Sequence, residues 1–307
     1  MKKKYKHWLL FFIFFLLYLG IFLFPSLIIE TGIQALTLFK ERLFPSIFPF
    51  FVLSFLLLNL NFASSISRLF APLLRGVFHL STSSSFLFLM SIISGFPSGA
   101  KYTALLYQKK QISKATGNYL LLFTHYANPL FVLGSCSLIL QNHSLAILIF
   151  FCQLISNFLL GFFFRPKEVE EENTSFVKET SSVLPCLSEA INQAMEVLLF
   201  MLGSITFFLF VSKIFLVFFP LPPFLQILVT GIFDMTSGIA MTQELSFLPF
   251  LQGLCVLTFL VFGGFSVHLQ VKNAIKKTDL SYRFFFLGRI LQLGIAILLF
   301  VSLYPLL

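Results

Sequence analysis

The 307 residues are 58% hydrophobic and only 11% charged, with a mean hydropathy of +0.94. So little polar surface cannot cover a water-soluble core of this size; lipid is the solvent for much of the chain, and an array of soluble modules is excluded. The formal charge of +9 does not indicate nucleic acid, because the basic residues gather at the ends of apolar runs, where they orient a protein in a bilayer.

In chain order, apolar spans are predicted at 8–29, 44–60, 116–140, 144–165, 194–219, 247–268 and 283–303. The first follows Met1-Lys2-Lys3-Lys4-Tyr5-Lys6. Its apolar run is too long for a signal core and no small-x-small cleavage site follows it, so it reads as an uncleaved transmembrane helix. Residues 30–43 and 183–193 mix polar and apolar side chains and read as interfacial amphipathic helices. Two further apolar segments, 81–110 and 222–243, are interrupted by Ser94-Gly95-Phe96-Pro97-Ser98-Gly99-Ala100-Lys101 and by Gly231-Ile232-Phe233-Asp234-Met235-Thr236-Ser237-Gly238. Unpaired backbone groups in hydrocarbon cost several kcal/mol each, so such breaks persist only where protein or a watery cavity surrounds them. Each segment is predicted to be a re-entrant hairpin, with tips near Gly95–Gly99 and Asp234–Gly238.

The chain then divides into an N-terminal transmembrane helix (1–29), a first repeat (30–165), a hydrophilic cytosolic linker (166–182) and a second repeat (183–307). Each repeat has an amphipathic helix, a span, a hairpin with a Ser-Gly tip, a span with a polar interruption and a final span. A longer loop, 61–80, distinguishes the first. Three crossings per repeat is an odd number, which predicts inverted halves. With the N-terminus in the cytosol, sixteen Lys and Arg fall inside and only Lys40 and Arg42 outside, the bias that orients membrane proteins.

Binding chemistry is expected at the breaks. Ser94, Gly95, Pro97, Ser98 and Gly99 form the first tip. Lys101 lies on the first turn of the returning half-helix, where it adds a full positive charge to a helix N-terminus and favours an anionic ligand; as the plain alternative it snorkels or neutralises Asp234. Ser98 caps that helix or binds substrate, and capping is the simpler role. Asp234 is the only acid between Val197 and Gln243, and a carboxylate at that depth points to function; Thr236, Ser237 and Gly238 complete its tip. Thr124-His125-Tyr126-Ala127-Asn128-Pro129 interrupts the third span, because Pro129 removes a donor and disfavours helix at Asn128. His125 and Asn128 are therefore candidate ligands, or polar bridges between helices. Gly263-Gly264 with Ser266 and His268 is a weaker echo, with Ser266 the candidate ligand and His268 an interface residue. Cys136, Cys152, Cys186 and Cys255 are far apart, and no Cys/His spacing suggests a metal. No enzyme motif appears, and no cofactor is expected.

Leu43-Phe44-Pro45-Ser46-Ile47-Phe48-Pro49-Phe50-Phe51-Val52-Leu53-Ser54, the string from Ser94 to Lys101, and Asn128-Pro129-Leu130-Phe131-Val132-Leu133-Gly134 resemble the YlbJ (SpoVV) family of sporulation integral membrane proteins. The likeness covers nearly the whole chain. It implies membership of a wider group with nucleoside-recognition (gate) repeats, similar in plan to concentrative nucleoside transporters. It also implies transport of dipicolinic acid across the outer forespore membrane during endospore formation. The second tip departs from the glutamate-containing, Asn-Gly-like pattern expected there, which unsettles its ligand set.

The reading is thus an all-α polytopic membrane protein of two inverted repeats, each with a re-entrant hairpin and a broken helix. It is expected to be a transporter or facilitator, not an enzyme. The expected partners are a small anionic solute and the lipid bilayer, with a homo-oligomer left open. The alternatives are a nucleoside or other small-metabolite carrier, and a non-transporting scaffold for spore assembly.

Overall fold

The computed structural model describes residues 2–60, 62–169, 182–246 and 248–307, and these are helical throughout with no strand. The greater part of the expected linker, 170–181, lies outside the described residues. Among the described residues, five helices are long and apolar enough to cross a bilayer: Pro25–Asn59, His143–Phe163, Val183–Phe218, Pro249–Ile275 and Tyr282–Leu306. The chain is therefore a polytopic α-helical membrane protein.

Helix α1 (Lys2–Leu23) ends earlier than expected, because the chain breaks at Phe24 and Pro25 opens α2 (Pro25–Leu38). A π-turn over Phe39–Leu43 then leads straight into α3 (Phe44–Asn59). The segment expected to lie on the membrane surface, 30–43, thus runs on into the span that follows. The same happens in α10 (Val183–Phe218), whose 36 residues reach about 54 Å and absorb the expected interfacial helix 183–193. Nothing between Gln193 and Ala194 stops a helix, so none stops there.

Residues 61–80, expected as a loop, contain α4 (Ala63–Phe78), which turns through 94° into α5 (Thr82–Ser94). Ser81 starts α5 by accepting from the Ser84 amide. After the first tip come α6 (Ser98–Gln108), α7 (Lys114–Phe123), a π-turn over Phe131–Cys136, the short α8 (Ser137–Leu140) and α9 (His143–Phe163). The second half follows α10 with α11 (Pro223–Phe233), α12 (Met235–Met241), α13 (Pro249–Phe262), α14 (Gly264–Ile275) and α15 (Tyr282–Leu303). The hairpin arms α5 and α11 have 13 and 11 residues, so they extend only about 20 Å, short of a hydrocarbon core about 30 Å thick.

The order of parts recurs with matching ends. Helices α5 and α11 stop at Ser94 and Phe233, α7 and α13 at Phe123 and Phe262, and α9 and α15 start at His143 and Tyr282. Each pair is the same distance apart in the sequence, so the breaks fall at corresponding places. Corresponding helices also pack on one another: α3 against α10 and α9 against α15.

Candidate functional site

At the first tip, Gly95 takes a positive φ of 76°. A Cβ there would sit 2.5 Å from the Asn128 backbone nitrogen, so only glycine lets the tip and the broken span meet backbone to backbone. Gly99 is in a similar position, its face against the Thr124 carbonyl. Asn128 then clasps the tip: its Nδ2 donates to the Ile93 carbonyl at 2.9 Å and its Oδ1 accepts from the Phe131 amide at 3.1 Å. The orphan carbonyl at the end of α5 and a free amide after the break are thereby satisfied. Ser98 does not cap the helix it begins; its Oγ donates back to the Gly95 carbonyl at 2.5 Å and holds the turn. Ser94 is bonded to Ser54 Oγ at 2.8 Å and to Tyr102 at 3.3 Å, which ties the two arms to α3. Pro97 follows a cis peptide bond from Phe96.

At the second tip the same contact is made from the other side. Gly264, φ 67°, lies against the Met235 nitrogen and Asp234 Cα, and Gly238 lies against Gly231 in the opposite arm. Asp234 is the N-cap of α12. Its Oδ2 accepts from the Ser237 amide at 2.9 Å and from Ser237 Oγ at 2.7 Å, and its Oδ1 from Ser266 Oγ at 2.7 Å. The carboxylate is fully buried, and no ion pair with a cation is made to it among the described residues.

Between the tips lies a cavity of about 20 Å³, room for roughly one water. Phe96 comes from the first tip, Asn128 and Phe131 from the first broken span, Asp234 and Thr236 from the second tip, and Ser266 and Gln270 from α14; Met201 and Ile205 of α10 and Leu43 and Ile47 close it. The structure thus brings Asn128, Asp234, Thr236 and Ser266 to one place. Ser94, Gly95, Pro97, Ser98, Gly99, Ser237 and Gly238 shape the tips behind it.

Lys101 and His125 stand apart. The Lys101 ammonium pairs with Glu196 of α10 at 3.5 Å, the carboxylate being 70% exposed. His125 is buried between the ring planes of Phe96 and Phe285, 6.4 and 4.6 Å away. Its backbone carbonyl accepts from Asn157 Nδ2 at 2.7 Å and Arg289 at 3.1 Å, and neither ring nitrogen has a hydrogen-bond partner among the described residues.

Two groups were not singled out by the sequence. Gln270 is buried, donates to Ser204 at 2.9 Å and leaves its Oε1 without a hydrogen bond; it follows Ser266 by four residues, a spacing that places both on one helix face. Arg289 is fully buried and closes the C-terminal end of α7. It donates to the Leu122 and His125 carbonyls, to Asn157 Oδ1 and to Gln292, while Gln292 reaches the Gln153 carbonyl and Ser156 across α9 at 3.1 Å each. Carbonyls at a helix end carry partial negative charge, which compensates a cation in hydrocarbon. The sequence signal for this seam was an arginine within a predicted span.

The chain is 30% identical over 319 aligned positions to the sporulation integral membrane protein YlbJ of Bacillus subtilis (strain 168), covering 91% of this chain and 78% of that one. It belongs to the YlbJ family of sporulation integral membrane proteins. No family model and no solved structure matches the chain. In this YlbJ-family chain the region from Ser94 to Lys101 is the first hairpin tip, and the region from Asn128 to Gly134 is the clasp and π-turn that receive it.

Proposed function

We propose that this protein carries a small anionic metabolite across a membrane of the sporulating cell, with dipicolinic acid the first candidate and the outer forespore membrane, N-terminus in the cytosol, the expected site. The carrier would consist of two inverted gate repeats, similar in plan to concentrative nucleoside transporters, that rock about the cavity between the tips. The observation that carries this reading is the convergence of both hairpin tips and both broken spans on one small cavity, where Asn128, Asp234, Thr236, Ser266 and Gln270 stand in a largely apolar wall. A membrane scaffold has little physical need for that arrangement. Since the cavity holds about one water, the tips must separate to admit a solute. Lys101 supplies the positive charge for a dianion by leaving Glu196, an exposed partner that holds it weakly.

A second reading has its own support. The cavity's acidic group is Asp234, whose oxygens suit hydroxyl donors of a neutral solute such as a nucleoside. Both readings are of a carrier and not of an enzyme. Uptake of labelled dipicolinate and labelled uridine into proteoliposomes separates them. Saturable dipicolinate uptake that vanishes in Lys101→Ala supports the first; uridine uptake supports the second. Uptake of neither by folded protein returns the chain to a scaffold role.

A further inference from the structure

Helix α4 has no counterpart in the second half, where Phe219-Pro220-Leu221-Pro222 joins α10 to α11. It lies across the bundle: the chain turns 94° between Leu69–Phe78 and Thr82–Ser94, with His79 in left-handed backbone, φ 54°, ending the helix. Leu74 and Phe78, one turn apart, are buried, and the Phe78 ring meets Phe88, Phe123 and Phe158 at 5.2, 5.6 and 6.0 Å. Leu69 and Leu73, also one turn apart, are 77% and 65% exposed, with Phe70 at 40%. At 3.6 residues per turn these apolar positions form one arc about half the helix wide. The protein covers one edge of that arc and leaves the other open. Arg75, which is exposed, lies by register on the opposite side.

Basic residues also lie at the end of α9, beside the last turn of α4. Arg165 donates to the Val77 carbonyl at 3.0 Å and lies over the Phe162 ring at 4.4 Å. His79 Nδ1 is 2.6 Å from the Pro166 carbonyl, and Lys167 beside it is exposed. Glu168 follows Lys167, and Glu170, Glu171 and Glu172 come next in the sequence, outside the described residues. Phe162 and Phe163 on the same end of α9 are exposed.

We propose that α4 lies in the membrane–water interface and, with the end of α9, forms a binding site for anionic phospholipid. Leu69, Phe70 and Leu73 enter the acyl region, and Arg75, Arg165 and Lys167 hold the headgroup phosphate. An amphipathic helix with this division of faces binds at the boundary through apolar burial and through attraction to anionic lipid. The site does not depend on what the protein carries.

The test uses full-length protein in nanodiscs. Trp8 is the only tryptophan, so Trp8→Phe with Leu73→Trp, or with Leu69→Trp as a second reporter, reads the position of α4. The expected result is a blue-shifted emission quenched by lipids brominated high in the acyl chain and shielded from iodide. Quenching by iodide with no response to brominated lipid overturns the interfacial placement. Retention of phosphatidylglycerol against phosphatidylcholine then reads the headgroup site. Lys167→Gln is expected to lower the preference about fivefold, and adding Arg75→Gln about fivefold again, as loss of about 1 kcal/mol per basic residue implies. Wild-type protein without such a preference, or a double variant that keeps it in full, overturns the headgroup assignment.

Discussion

At the first tip, Gly95 lets the backbone approach Asn128, and a neutral amide clasps the end of α5. At the second, Gly264 lets the backbone approach Met235 and Asp234, and a carboxylate gathers Ser237 and Ser266. The close approach is common to both, while the polar group that exploits it is an amide in one and an acid in the other. The first tip's basic residue, Lys101, is directed away to α10; the second tip's acid, Asp234, is buried in the cavity wall. The two breaks thus share a close backbone approach and differ in the polar group set against it.

The comparison breaks first at the glycines. Gly95→Ala and Gly264→Ala should each cost about 3 kcal/mol, because each combines a strained positive φ with a clash against backbone that cannot yield. Thermal unfolding in detergent checks this, and a large effect at only one tip would deny that the two approaches are equivalent. Next, Asn128→Ala should cost about 2–3 kcal/mol by leaving the Ile93 carbonyl and the Phe131 amide buried and unpaired. Asp234→Asn should cost about 1 kcal/mol, since an asparagine still caps α12. If the two substitutions prove equal, the amide and the acid do the same structural work.

Lys101→Ala should change stability by under about 1 kcal/mol, as expected for an exposed pair, while abolishing uptake of an anion. The smallest effect belongs to the loops that join the halves, where Lys114 meets Asp279 at 2.8 Å and Asn118 accepts from the Ser281 amide. The hydrogen bond and charge of Lys114 hold the Asp279 carboxyl below its ordinary value of 3.8, and Asp279 raises Lys114. A depressed folded-state value means that the stabilisation is present above about pH 4 and fades as pH falls through the lowered value. Melting of wild type and Asp279→Asn should therefore differ slightly at pH 7 and converge as the pH falls below the lowered Asp279 value.

Much of the site was legible because glycine and proline dictate backbone locally. Gly95, Pro97 and Gly99, the Asn128-Pro129 step and Gly263-Gly264 all mark breaks the structure contains. Asp234 was legible as a costly buried charge. The partners were not, since they come from distant chain. Lys101 finds Glu196 across 95 residues and Arg289 finds Asn157 across 132, and nothing in the local pattern encodes either. Helix α4 was missed because Pro72 and the serines near its start read as a loop, although its apolar residues keep helical spacing. The surface helices expected at 30–43 and 183–193 failed for the opposite reason: a polar face does not end a helix unless a breaker follows.

The claim that a solute occupies the cavity between the tips is tested most directly at Thr236, which lines it. With the four native cysteines, all free thiols, replaced by serine, Thr236→Cys gives a single reporter in vesicles. A small charged thiol reagent should label it at a rate that falls with rising dipicolinate, while Glu196→Cys on the exposed face labels at an unchanged rate. Labelling of Thr236→Cys at the same rate in saturating dipicolinate would contradict the account.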